Sequence, residues 1–111
     1  MGRGSMGSVT VVVPAYNEEV SIGETVVAIK KALSKGKVDT YEILVVDDGS
    51  SDSTKQNAKK AGAKVLSHPH NLGYGKAIKS GLKLAKNDTI VITDADGTYE
   101  IERIPDLVEK F

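Results

Sequence analysis

The sequence of 111 residues has no cysteine, which removes both a disulfide framework and a thiolate metal site. It has no excess of either charge, since 15 Lys and Arg face 15 Asp and Glu for a formal net charge of zero. Nonspecific nucleic-acid binding needs a basic surplus to displace phosphate counterions, so a nucleic-acid partner is excluded as a first reading. No apolar run approaches the ~20 residues that cross a bilayer, and no secretory apolar segment stands near the start. The expectation is a soluble, cytoplasmic chain. There is no long repeat, no linker and no two-residue hairpin signal between strands. What is present is 40% hydrophobic and 27% charged residues, the proportions of one ordinary domain. A chain of this length buries roughly 65% of the surface it exposes unfolded, enough for a core without staples.

Met1 to Gly7 lack any periodic pattern and read as a cloning scar outside the fold. From Ser8 onward, short β-branched runs alternate with segments of helical period. Ser8 to Val13 is a strand. Ile22, Val26, Ile29 and Leu33 recur on one helical face, with Asn17 as the expected cap, Glu18 and Glu19 at the positive end, and Gly36 past the last turn. Tyr41 to Val46 is a second strand; Thr54, Ala58 and Ala61 mark a second helix, with Gly62 suited to its C′ position. Val65 and Leu66 form a short third strand. Ile78, Gly81, Leu82 and Ala85 give a third helix, opened by a loop from Asn71 to Gly75. Thr89 to Thr93 is a fourth strand, expected to be buried on both faces, and Ile104, Leu107, Val108 and Phe111 begin another helix. This alternation predicts an α/β fold whose mostly parallel sheet is linked by right-handed crossovers.

Acidic clusters follow three of these strands: Pro14-Ala15-Tyr16-Asn17-Glu18-Glu19, Asp47-Asp48-Gly49-Ser50 and Asp94-Ala95-Asp96-Gly97. Ligands of open α/β sheets bind at the carboxyl ends of strands, near the point where strand order reverses. Glu18, Asp47, Asp48, Asp94 and Asp96 are therefore expected to crowd one edge, and two of them about 4 Å apart would repel by up to ~4 kcal/mol at an effective dielectric of about 20. A divalent cation with oxygen ligands, Mg²⁺ or Mn²⁺, would relieve that repulsion. Without it, at least one of these carboxyls is expected to titrate above the ordinary value of about 3.9. Each cluster taken alone has a plainer reading. Asp-x-Asp suits a local turn, Asp47-Asp48-Gly49-Ser50 a turn with a helix cap, and Tyr16 ordinary loop packing, although an aromatic beside a carboxylate also suits a nucleobase. Gly73-Tyr74-Gly75-Lys76 is a poor phosphate loop, because Ile78 stands where a dinucleotide fingerprint needs glycine. His68 and His70 flank Pro69 and read as solvated; the lysines from Lys76 to Lys86 read as the wet face of a helix.

In succession, these clusters and the Asn71-Leu72-Gly73-Tyr74-Gly75-Lys76-Ala77 segment resemble the N-terminal half of inverting nucleotide-sugar glycosyltransferases. That family includes dolichyl- and polyprenyl-phosphate mannose or glucose synthases and polymer synthases. The resemblance implies the nucleotide-binding half of a glycosyltransferase A-type fold, Rossmann-like, over residues 8–111. It implies that Pro14, Tyr16 and Glu18, beside Asn17, line the base and ribose pocket and that Asp47 or Asp48 bonds the base or ribose. Asp94 and Asp96 would hold Mg²⁺ or Mn²⁺ against the diphosphate of a UDP- or GDP-sugar, with Gly73 and Lys76 bordering the nucleotide. The implied acceptor is a polyprenyl phosphate, met by the full-length protein at the cytoplasmic face of a membrane. Thr98, where such members often carry Gln, and Glu100-Ile101, where they carry a Pro pair, depart from the pattern. No catalytic residue is expected within this half. It is read as truncated, inactive alone, and apt to form a dimer or soluble aggregate through an exposed strand edge or the Ile104 to Phe111 face.

Two alternatives accompany this reading. Ile90 to Thr98 also resembles the nucleophile motif of haloacid-dehalogenase-type phosphatases, with Asp94 attacking phosphate and Asp96 as acid and base. That motif normally opens its domain, whereas here almost nothing follows it. The other alternative is a non-catalytic, metal-dependent nucleotide-binding half-domain.

Overall fold

A computed structural model of the chain describes residues 7–36 and 38–95. The elements alternate as the pattern predicts: β1 (Ser8–Ala15), α1 (Ile22–Lys35), β2 (Thr40–Asp47), α2 (Thr54–Ala61), β3 (Lys64–Ser67), α3 (Tyr74–Leu84) and β4 (Thr89–Ile92). The four strands form one sheet in the order β3-β2-β1-β4, and every pairing is parallel. Strand order therefore runs outward from β1 to β3 and then jumps back to the other side of β1. The reversal opens a crevice at the carboxyl ends of β1 and β4.

Alternation along the strands sorts side chains onto two covered faces. Val9, Val11 and Val13 pack with Ile43, Val45 and Val91 against Ile22, Val26, Ile29 and Leu33 of α1 and Ala58 of α2. Val12, Leu44 and Val46 pack on the opposite face with Ala77 of α3. Ile22, Ile29, Leu33 and Leu44 are fully buried, each contributing about 2 kcal/mol of apolar transfer free energy. Gly81 lets α3 lie close on the sheet: a Cβ there would stand 2.5 Å from Val12 Cγ1.

Several local expectations change. Asn17 does not cap α1: Ser21 holds that position without a side-chain cap, and of the acidic residues only Glu24 lies in the first turn. The intervening residues are drawn instead into contacts with the loop after β2. Gly62 does close α2 in the left-handed conformation, with φ 103°. β4 is not buried on both faces, since Ile92 is 39% exposed. Among the described residues β4 is an edge strand, paired with β1 alone. Gly7, read from sequence as part of the scar, accepts the Asp39 N–H at 2.9 Å. The helix expected from Ile104 to Phe111, Asp96, and the departures at Thr98, Glu100 and Ile101 lie outside the described residues.

Candidate functional site

A cleft of about 490 Å³ opens at the strand-order reversal, lined by residues from four separate segments. Pro14, Ala15, Tyr16 and Glu18 follow β1; Asp48 follows β2; Asn71, Gly73, Tyr74 and Ala77 belong to the loop and first turns of α3; Asp94 and Ala95 follow β4. A larger groove, about 600 Å³, runs between α1 and α2 and touches none of Asp47, Asp48 and Asp94.

The segment after β1 is stapled to the loop after β2. Asn17 adopts φ 52°, which short polar side chains tolerate better than most. Its N–H donates to Ser50 Oγ at 2.9 Å, while its Oδ1 accepts the Ser51 N–H at 2.9 Å. The Glu18 N–H donates to Thr54 Oγ1 at 2.8 Å, and Glu19 Oε1 accepts the Ser53 N–H at 3.0 Å. Asn17 thus serves the loop rather than the cleft lining. The same staple leaves Tyr16 48% exposed over the cleft and Glu18 half-buried beneath it.

The two adjacent aspartates part ways. Asp47 turns into its own loop, where Oδ1 accepts the Ser50 N–H at 3.1 Å and Oδ2 the Ser67 hydroxyl at 3.3 Å. Asp48 faces the α3 loop: Oδ1 accepts the Leu72 N–H at 2.9 Å and lies 2.7 Å from His68 Nδ1, and Oδ2 accepts the Gly73 N–H at 2.9 Å. Burial pushes the Asp48 carboxyl up, but the hydrogen bonds from His68, Leu72 and Gly73 outweigh it and hold the carboxyl below its ordinary 3.8. For Asp48, then, the direction is opposite to that expected from crowded carboxylates. Among the described residues, no three acidic or histidine side chains come together as a metal-holding group.

Asp94 lines the cleft half-buried, and the turn that follows it is tied to α1: the Ala95 carbonyl accepts hydrogen bonds from Ser21 Oγ at 3.1 Å and Thr25 Oγ1 at 2.9 Å. Among the described lining residues, the donor type that a hard divalent ion takes is present at Asp94. Asp94 offers carboxylate oxygens there, whereas those of Asp47 and Asp48 are already engaged by protein donors. Lys76 is exposed in the first turn of α3 and does not line the cleft.

The sequence reading missed three features. Tyr74, 62% exposed, is a second aromatic on the cleft, and Asn71 also lines it. An aromatic held between two glycines after a strand was the available signal for Tyr74. His68 is not solvated: its side chain is 8% exposed and bridges Asp48 to Ser80, with Nε2 2.8 Å from Ser80 Oγ. Nothing in the His-Pro-His string distinguishes it from the exposed His70.

The model of glycosyl transferase family 2 matches residues 10–111. The chain belongs to that family. Among its relatives, a dolichyl-phosphate beta-glucosyltransferase of Trichomonas vaginalis is 36% identical over 110 residues, covering 91% of this chain and 33% of that protein. An undecaprenyl-phosphate 4-deoxy-4-formamido-L-arabinose transferase of Edwardsiella ictaluri is 40% identical over 108 residues, covering 91% and 33%. Glucosyl-3-phosphoglycerate synthase of Mycobacterium tuberculosis, crystallised with Mn²⁺, UDP-glucose and phosphoglyceric acid, matches with a TM-score of 0.67 at 34% identity. That match covers 79% of this chain and 33% of the synthase. The chain spans about a third of the length of these three proteins. Its parallel sheet and flanking helices are the Rossmann-like, glycosyltransferase A-type arrangement of its glycosyltransferase structural neighbours. The phosphatase alternative, which rests on residues 90–98 alone, leaves the family-2 match upstream of them unexplained. Among the described residues, no helix is long and apolar enough to cross a membrane.

Proposed function

We propose that this chain forms the donor-binding half of an inverting glycosyltransferase that takes a UDP- or GDP-sugar and passes the sugar to a polyprenyl phosphate. The observation that carries the reading is the cleft at the strand-order reversal, where two exposed tyrosines, a hydrogen-bonded Asp48 and the Asp94 carboxylate line one space. Tyr16 and Tyr74 stack the base, with Pro14 and Glu18 beside the base and ribose. Asp48 Oδ2, which accepts one N–H from the chain, keeps a second acceptor site for a base N–H or a ribose hydroxyl. Asp94, together with Asp96, holds Mg²⁺ or Mn²⁺; when bound, such an ion offsets diphosphate charge and favours departure of the nucleoside diphosphate. Gly73 borders the phosphates and Lys76 approaches from the flank.

Relatives named for dolichyl- and undecaprenyl-phosphate, and a structural neighbour crystallised with Mn²⁺ and UDP-glucose, support the donor, the metal and the acceptor class. A lipid-anchored acceptor would be met at a membrane, and the cytoplasmic face is the side proposed for the full-length enzyme. The 111-residue chain alone is expected to bind donor without turnover. Isothermal titration of UDP and of GDP, with MnCl₂, with MgCl₂ and with chelator, tests the reading: binding should be weak and should need the metal. Equal affinity with metal and with chelator would remove Asp94 and Asp96 from their role. Failure of every nucleotide to bind would overturn the donor-site reading.

A further inference from the structure

His68 is a buried titratable side chain that the proposed chemistry does not use, and its surroundings are specific. Nδ1 lies 2.7 Å from Asp48 Oδ1, and Nε2 lies 2.8 Å from Ser80 Oγ. An ionised carboxylate only accepts, so Nδ1 carries a proton toward Asp48, and Nε2 and the Ser80 hydroxyl share the second hydrogen bond. Ser, His and Asp in this order also make up the relay of acyl-transfer enzymes. Here the serine sits inside α3, where helix N–H groups are spent on backbone carbonyls and leave no oxyanion donors, and Ser80 does not line the cleft. The relay therefore has no reaction to serve.

It does have a loop to hold. The same Asp48 carboxylate that meets His68 accepts the Leu72 and Gly73 N–H groups, and Gly73 lines the cleft. A separate observation places the two segments in tight contact: a Cβ on Gly49 would stand 2.6 Å from Asn71 N and would also run into the His70 backbone. The β2 end and the 70–73 segment are thus pressed together, and His68 fixes the Asp48 carboxylate in the orientation that both amides require.

We propose that His68 is a positioning residue for the nucleotide cleft: through Asp48 it clamps the 71–73 segment that forms one wall, and through Ser80 it ties that clamp to α3. The inference deepens the donor-site reading and rests on it for its effect on nucleotide. The side-chain amide of Asn can replace the Nδ1–H donor to Asp48, whereas that of Gln reaches the Ser80 end, so the two substitutions separate clamp from packing.

The 111-residue chain and its His68→Ala, His68→Asn, His68→Gln and Ser80→Ala variants would be compared by hydrogen exchange at the Leu72 and Gly73 amides. Each would also be titrated with UDP and with GDP in MnCl₂. His68→Ala should speed exchange at both amides and weaken nucleotide binding roughly tenfold, the scale of one lost hydrogen bond to a charged group. His68→Asn should restore both properties and His68→Gln neither. Ser80→Ala should move both in the same direction by less, and it keeps the test open should His68→Ala fail to fold. Unchanged exchange in His68→Ala and Ser80→Ala, or equal rescue by Asn and Gln, would overturn the proposal. If the unsubstituted chain bound neither nucleotide, the donor-site reading would fall while the exchange data still decided the clamp.

Discussion

Thr25 Oγ1 donates to the Ala95 carbonyl at 2.9 Å, joining the buried side of α1 to the residue that follows Asp94. Ala95 is itself buried in the core, and this bond is one of two that its carbonyl accepts from described side chains. Thr25→Val keeps the shape, removes the donor and leaves Ser21 as the remaining partner. It should lower stability by about 1 kcal/mol in urea melts, the usual net value of a buried hydrogen bond. A variant as stable as the parent would mean that the turn is held by other contacts.

The same substitution at Thr93 should act in the opposite direction. Thr93 is 2% exposed and its Oγ1 has no hydrogen-bond partner among the described residues. Folding therefore strips water from that hydroxyl without replacing it, a penalty of about 1–3 kcal/mol that a methyl group would not incur. Thr93→Val should raise the urea midpoint. Two isosteric exchanges near one strand end, with opposite signs, would show that hydrogen-bond satisfaction and not threonine as such governs this region; a destabilised Thr93→Val would mean that the hydroxyl finds a partner in solution.

The order of strands and helices was legible because each carries its own period: β-branched runs such as Val9 to Val13, and the Ile22, Val26, Ile29, Leu33 face. Which side chains meet was not, because that depends on contacts across the chain. Asn17 looks like a helix cap from its neighbours in sequence, but its oxygen is taken by Ser51, 34 positions away. Asp47 and Asp48 are equivalent as letters. One turns into its own loop and the other reaches the 71–73 segment, because β3 and α3 bring that loop over the end of β2. His68 differs from His70 for the same reason: only the first lies over Asp48. Tyr74 was hidden by its place in a glycine-bearing loop that failed as a dinucleotide fingerprint.

Gly81 offers a prediction that helix propensity alone gets wrong. Replacing an interior helical glycine with alanine ordinarily stabilises by about 1 kcal/mol. Here the new methyl would meet Val12 Cγ1 at 2.5 Å and Val46 Cγ2 at 3.3 Å, both on the packed sheet face. Gly81→Ala should destabilise by about 1–3 kcal/mol, the range for overfilled cores. A rise in the melting temperature would show that α3 can shift away from the sheet.

Acid sensitivity follows from the carboxyls held below their ordinary values. For Asp48, burial raises the pKa and the bonds from His68, Leu72 and Gly73 lower it further than burial raises it; for Glu42, burial is likewise outweighed by bonds from Lys86, Thr10 and Lys64. A carboxyl with a depressed folded pKa stabilises the fold fully above its unfolded value and loses that contribution as pH falls through its folded value. Stability should therefore decline below about 4.5, where Glu42 ordinarily titrates, and more steeply below 3.8, where Asp48 does. Urea melts from pH 6 to about pH 3 would measure the slope. Asp48→Asn should reduce the lower part, to which Asp52, also held below 3.8, contributes, and leave the Glu42 part; an unaltered slope in that variant would show that Asp48 is protonated alike in both states.

The final prediction separates the two ends of the cleft. Tyr16 and Tyr74 are exposed aromatics lining the same space as Asp94, and a base stacked on an aromatic ring gains about 1–3 kcal/mol. Removing either ring should weaken UDP and GDP binding by roughly tenfold or more, because 1.4 kcal/mol is a factor of ten. Mn²⁺ affinity should change little, since the rings supply no hard oxygen to the ion. Asp94→Asn should act on the metal first and on nucleotide through it. It removes a negative charge and an ionised ligand, so titrated Mn²⁺ should bind poorly and nucleotide affinity should become nearly the same with metal and with chelator. A diphosphate approaching Glu18, Asp48 and Asp94 is repelled unless a cation intervenes, so the variant that loses the ion also loses most of the affinity the ion supports. The decisive comparison is the crossed one: titrations of UDP and of MnCl₂ against Tyr16→Ala, Tyr74→Ala and Asp94→Asn. If Tyr16→Ala impaired Mn²⁺ binding as strongly as Asp94→Asn, the cleft would not divide into a base end and a phosphate end.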